Sequence, residues 1–130
     1  MELETDRMLS TQAKMDHLYH LARGLGEMLS QTFEFQDFLE MAQAINHDST
    51  VQRLLGEIRL HQTALQWGQD VTRHAAELDR LEQELEALPL FQDYRQAERQ
   101  VCNLFLEVDR LISRAAGVDF AANARRSCCG

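Results

Sequence analysis

Thiols and imidazoles are the side chains here with the widest chemical reach. The thiols are Cys102, Cys128 and Cys129. An odd count, with two of the three adjacent, rules out the paired framework of a small secreted protein. A disulfide between neighbours 128 and 129 would itself be strained. Reduced thiols are the remaining reading, with the 128–129 pair a candidate metal ligand and Cys102 a candidate third. Spacing alone favours idle thiols, because an iron–sulfur cluster usually takes four cysteines.

The imidazoles are His17, His20, His47, His61 and His74. His17 and His20 share one helix face and are a candidate metal-binding pair. A di-iron bundle needs glutamate three residues before histidine, and none of the five has it. That oxidase class is excluded, which leaves surface or stripe-edge histidines. His61 differs because it interrupts an apolar stripe, so it is a candidate polar contact within a protein interface.

Phosphate and nucleophile chemistry find no support. Gly24-Leu25-Gly26 lies inside a helical stripe and lacks the preceding strand that a nucleotide loop needs. No Ser/His/Asp or Cys/His pair suggests an activated nucleophile. The aromatics Phe35, Phe38, Phe91, Tyr94 and Phe105 fall at helical spacing and read as core. Phe33 and Trp67 fall off their stripes, and an off-stripe large apolar residue points to a second contact surface. Phe33, Trp67 and His61 are therefore the candidate partner-binding residues.

Helices must position these groups. The sequence has one proline and six glycines in 130 residues, too few breaks for many short strands. Residues 1–12 are acidic and weakly patterned, and are expected to be frayed. From Ala13 a stripe runs through Leu18, Leu21, Ala22, Leu25, Met28 and Leu29 at i, i+3, i+4, i+7 spacing. Gly24 and Gly26 within it would let another helix approach closely. The phase changes after Thr32, to Phe35, Phe38, Leu39, Ala42 and Ile45, so residues 30–35 hold a break or a kink.

Asn46-His47-Asp48-Ser49 is a second break, with Asp48 as cap or Ser49 with Gln52 as a capping box. A stripe through Val51, Leu54, Leu55, Ile58 and Leu65 weakens near Gly68. Asp70 then caps a further helix through Val71, Leu78, Leu81 and Leu85, unless one continuous helix carries a stutter. Residues 77–86 are dense in charge and read as a solvent-facing or coiled-coil surface. Pro89 opens the last helix, whose wide stripe runs from Leu90 to Ala115 and ends at Gly117. Residues 117–130 read as a flexible tail.

The expected fold is all-α: an antiparallel bundle of three to five helices spanning 13–116. Such wide stripes on slender hairpins exceed what one chain covers. A homo-oligomer, or a hetero-oligomer with other helical chains, is expected.

Composition narrows the partners. The formal charge is −8, from 21 acidic residues against 13 Lys plus Arg, and only Arg125–Arg126 form a basic pair. Direct nucleic-acid binding wants clustered cations and is disfavoured. An acidic surface favours solubility and basic partners. No run approaches the ~18 apolar residues of a membrane span, and the acidic start is unlike a secretory signal. A cytoplasmic protein is the expectation.

The order of these features resembles one family. Ser30-Gln-Thr-Phe-Glu-Phe-Gln-Asp-Phe38, then Ala42, Ile45, Asp48, Val51 and Leu54-Leu55, is similar to the first half of the YlbF/YmcA family. Leu88-Pro89-Leu90, Tyr94, Ala97-Glu98, Leu104, Val108 and Ile112 is similar to the second. The resemblance spans roughly residues 13–116. It implies a small bacterial helical protein, not itself an enzyme, that assembles with relatives and a third protein. Such proteins regulate competence, biofilm formation and sporulation, and some are adaptors for an endoribonuclease that matures messenger RNA. It also implies, for some members, a 4Fe-4S cluster shared between subunits through a cysteine-rich tail. Cys128 and Cys129, with Cys102, are the residues that would correspond; the tail here is poorer in cysteine. The residues by themselves leave two other readings, a cluster-binding redox or sensing protein and a structural coiled-coil or chaperone-like hairpin.

Overall fold

A computed structural model describes residues 2–120 and 122 of the protein. The described residues form five helices and no strand: α1 (Glu2–Ser30), α2 (Phe33–His47), α3 (Ser49–Gln66), α4 (Val71–Glu86) and α5 (Pro89–Ala116). They divide into two compact units, residues 1–36 and 37–130.

The smaller unit is α1 and the first turn of α2. The helix starts at Glu2 rather than near Ala13, so the segment expected to be frayed is helical. Its cause is propensity rather than a stripe. Glu2 and Glu4 sit in the first turn, where carboxylates complement the helix dipole. Leu, Met, Gln, Ala and Lys follow, all good helix formers. Gln12 donates to Asp16 one turn on, at 3.2 Å, and Arg23 pairs with Glu27 at 3.2 Å.

The expected break at 30–35 is a two-residue interruption. Gln36 Nε2 donates to the Ser30 carbonyl at 2.6 Å, and the Phe35 N–H reaches the Thr32 hydroxyl at 3.4 Å. One free end on each side is thus satisfied. No residue of α1 is buried. A Cβ added at Gly24 or Gly26 would meet nothing within 4 Å among the described residues.

The larger unit holds the core. Asp48 is the cap of α3: its Oδ1 accepts from the Val51 N–H at 2.9 Å. The alternative Ser49–Gln52 box does not form, since Gln52 Nε2 donates instead to the Ile45 carbonyl at 3.0 Å. α3 ends in a true turn and not a stutter. Gly68 takes φ 69°, and its N–H donates to the Leu65 carbonyl at 3.0 Å. Asp70 occupies the cap position of α4 but does not cap it. It adopts φ 33°, makes no side-chain hydrogen bond to the helix end, and pairs with Arg73 at 3.1 Å. The expectation of a capping Asp70 fails because a left-handed backbone turns the carboxylate away from the free N–H groups.

Pro89 opens α5, and Gly117 closes it at φ 71°, with Val118 N–H donating to Ser113 O at 3.1 Å. α3 packs on α4, and α4 on α5. Ile45, Val51, Leu54, Ile58, Leu81, Leu85 and Phe91 form one buried cluster, flanked by Leu55, Leu78, Leu88, Leu90 and Tyr94. Val51, Leu54 and Leu81 are almost fully removed from water.

Asp48→Ala should lower stability by about 1 kcal/mol. Gly117→Ala should cost a similar ~1 kcal/mol through its positive φ. Urea unfolding followed by helical circular dichroism checks both, and an unchanged midpoint for Asp48→Ala would refute the capping role.

Candidate functional site

The described surface is unusual for where it leaves apolar side chains. On α1, Met8, Leu9, Met15, Leu18, Tyr19, Leu21 and Met28 are all exposed. On α5 the stripe divides. Its first half buries Phe91, Ala97 and Val101, whereas Phe105, Leu111 and Ile112 of the second half remain exposed. Returning each such side chain to an apolar contact is worth on the order of 2 kcal/mol. These two sets of exposed apolar side chains, each described within its own unit, are available for contact with another chain.

The off-stripe aromatics lie where a partner can reach them. Phe33 is 74% exposed as the first residue of α2, and Trp67 is 76% exposed just past α3. Around the same α3–α4 turn, Leu60 and Val71 are also exposed. Tryptophan is among the residue types enriched at interface hot spots.

His61 is half-buried, and its partner is His74. The two Nδ1 atoms lie 2.8 Å apart, with ring centroids at 5.0 Å. A hydrogen bond of that length needs one donor and one acceptor. Arg73 Nη2 lies 3.4 Å from His74 Nε2, and a guanidinium can only donate. Donation from Arg73 to Nε2 would leave the His74 proton on Nδ1, where it would donate to His61. The contact ties α3 to α4 across the turn that bears Trp67. Sequence reading found His61 through its broken stripe but not His74, which sits thirteen residues on. Only the relative phase of the two helices brings them together.

Metal chemistry gains less. His17 and His20 are exposed on α1, and Cys102 is exposed on α5. Among the described residues, no group of three or more His, Cys, Asp or Glu could hold a metal ion. Cys128 and Cys129 lie outside the described residues. The described part of the chain thus offers one of the four thiols that a cluster usually takes. No helix among the described residues is long and apolar enough to cross a membrane.

Tyr94 links the last helix to the core. Its ring stacks at 5.8 Å from both Phe38 and Phe91. Burial pushes its phenol above the ordinary tyrosine value, and the nearby Glu98 charge adds to this. A raised folded-state value favours the protonated form on folding. That stability is fully present below the ordinary tyrosine value and is lost as pH rises from there through the raised folded-state value.

The comparisons with known proteins follow the same lines. The family described as "Control of competence regulator ComK, YlbF/YmcA" matches residues 18–115. A Bacillus subtilis (strain 168) protein, "Uncharacterized protein YmcA", is 31% identical over 99 residues, covering 71% of this chain and 68% of its own length. In fold, the chain is similar to the crystal structure of Bacillus subtilis RicA in complex with RicF. The TM-score is 0.68 at 18% identity, over 78% of this chain and 94% of the solved one.

His74→Ala should lower stability by roughly 1 kcal/mol through loss of the inter-helix hydrogen bond. Nitrogen-15 spectra of the imidazoles should show His74 protonated at Nδ1 and His61 at Nε2. The reversed pair of tautomers would refute the assignment. Tyr94→Phe should flatten the loss of stability at alkaline pH, read as the pH dependence of the urea midpoint.

Proposed function

Because the chain belongs to the YlbF/YmcA family, we propose that it is a non-catalytic regulatory adaptor, working by presenting helix faces to related helical chains and to a larger protein partner. The carrying observation is the apolar surface left open on α1 and on the second half of α5. The buried core includes no residue of α1, and a solved protein of similar fold, RicA, is found in complex with RicF. Phe33 and Trp67 are proposed anchors of the contact, with His61 fixing the turn beside Trp67.

The process regulated is proposed from the family: control of competence, biofilm formation or sporulation, acting through ribonuclease-dependent maturation of messenger RNA. Binding of nucleic acid would then fall to another component, in keeping with the charge of −8. A cytoplasmic site of action is part of the same proposal. The cluster reading, using Cys128 and Cys129 with Cys102 and further ligands from another chain, rests on the family resemblance alone. It would make the assembly a redox or sensing unit as well as an adaptor.

Anaerobic purification of the tagged full-length chain from its own host, followed by native mass spectrometry, tests both. Helical relatives in a fixed ratio are the expected result, and visible absorbance would add the cluster. A lone, colourless homodimer with no reproducible partner would overturn both readings. In the reconstituted assembly, Trp67→Ala and Phe33→Ala should each weaken binding at least tenfold, about 1.4 kcal/mol. The thermal midpoint of the isolated chain should stay within a degree or two, since both side chains are exposed.

A further inference from the structure

The larger unit contains a second surface that is chemically unlike the open faces of α1 and α5. A groove of about 560 Å³ runs between α3, α4 and α5. Leu55, Ile58, Leu85 and Phe91 line its floor, and Asp79, Glu82 and Glu86 of α4 form one wall. Those three carboxylates stand at i, i+3 and i+7, on one face of the helix.

Two of them, Asp79 and Glu82, differ from the ion-paired acids of these helices. Glu57 pairs with Arg53, Glu77 with Arg80, Glu84 with both Arg80 and Arg53, Glu98 with Arg95, and Glu107 with Arg110. Asp79 accepts only from the neutral amide of Gln83, at 3.0 Å. Among the described residues, no cationic side chain comes within ion-pairing distance of Asp79 or Glu82. The single cation at the groove, Arg95, is already engaged. Its guanidinium lies 4.9 Å from the Phe91 ring centroid and bonds Glu86 at 3.3 Å and Glu98 at 3.2 Å. The groove therefore has an apolar floor and a wall on which Asp79 and Glu82 have no cationic partner among the described residues, while Glu86 pairs with Arg95.

We infer that this groove docks a cationic amphipathic helix of a partner protein, whose apolar side chains enter the floor and whose Lys or Arg residues pair with Asp79 and Glu82. The inference rests on the adaptor reading and names one partner chemistry within it. A second copy of this chain is the wrong occupant. It also carries −8, and many of its arginines are held in ion pairs of their own. The sixteen residues of α4 span ~24 Å, room for about four turns of a helix lying alongside. Opposite charge across the wall would speed encounter and fix orientation, and the contact would weaken with added salt.

The test uses the full-length chain and a labelled eighteen-residue amphipathic helical peptide of Leu and Lys, with a Leu–Glu peptide of the same pattern as control. Fluorescence anisotropy should show binding of the Lys peptide that falls at least tenfold between low and moderate salt. The Leu–Glu peptide should not bind. The double variant D79K/E82K should weaken the Lys peptide at least tenfold, with unchanged helical circular dichroism, since both positions are exposed. E107K, elsewhere on α5, should change it less than twofold. Amide shifts should move at Leu55, Ile58 and Leu85.

Equal binding by D79K/E82K, equal binding of both peptides, or shifts confined to residues 104–116 would each overturn the proposal. The adaptor reading is scored separately by assembly with helical relatives. D79K/E82K that still assembles but fails to bind the Lys peptide supports the groove. A wild-type chain that assembles but binds no Lys peptide removes the groove and leaves the adaptor.

Discussion

The seam between α3 and α4, where Val51, Leu54 and Leu81 leave water almost entirely, is the constraint on which the rest of the structure depends. It is small. Nine hydrophobic residues are buried among those described, and none of them lies on α1. A core of that size orders three helices and part of a fourth, but it cannot draw in every apolar stripe that the sequence carries. The remaining apolar surface is therefore a property of the chain's proportions. Contact with other chains is the economical way to cover it.

The same seam explains why the polar features sit where they do. Once Leu54 and Leu81 fix the phase of α3 against α4, His61 and His74 must face each other near the turn. The carboxylates of α4 are then sorted by what lies opposite. Glu84 meets Arg53 of α3 at 3.7 Å, whereas Asp79 and Glu82 line the groove and meet no cation among the described residues. Exposed ion pairs of the first kind are worth little in stability, typically 0.2–1 kcal/mol. Their consequence is arrangement, since on α4 they leave Asp79 and Glu82 without an ion pair, both at the groove.

How much of this was legible in the sequence depends on how local the physics is. Asp48, Pro89 and Gly117 each act on the backbone within a few residues, through a side-chain cap, a fixed φ and a positive φ, and each was readable. Asp70 had the right residue type, but its conformation depends on the path of the turn, which residue type does not determine. The helix over residues 2–12 was missed because the reading relied on apolar stripes; the helix-forming residue types and the early glutamates were the available signal. His74, the split of the α5 stripe into buried and open halves, and the isolation of Asp79 and Glu82 all depend on how separate helices meet. Period alone does not contain that. The exposed positions of Phe33 and Trp67 agree with their place off the stripes, and Cys128 and Cys129 lie outside the described residues.

The central claim is that the open faces of α1 and of the second half of α5 are covered by another protein chain. Amide hydrogen exchange on the full-length protein, alone and in the assembly purified from its host, measures this most directly. The account predicts exchange slowed at least tenfold over α1 and residues 104–116 in the assembly, with the α3–α4 seam equally protected in both samples. Unchanged exchange along α1 and residues 104–116 would contradict it.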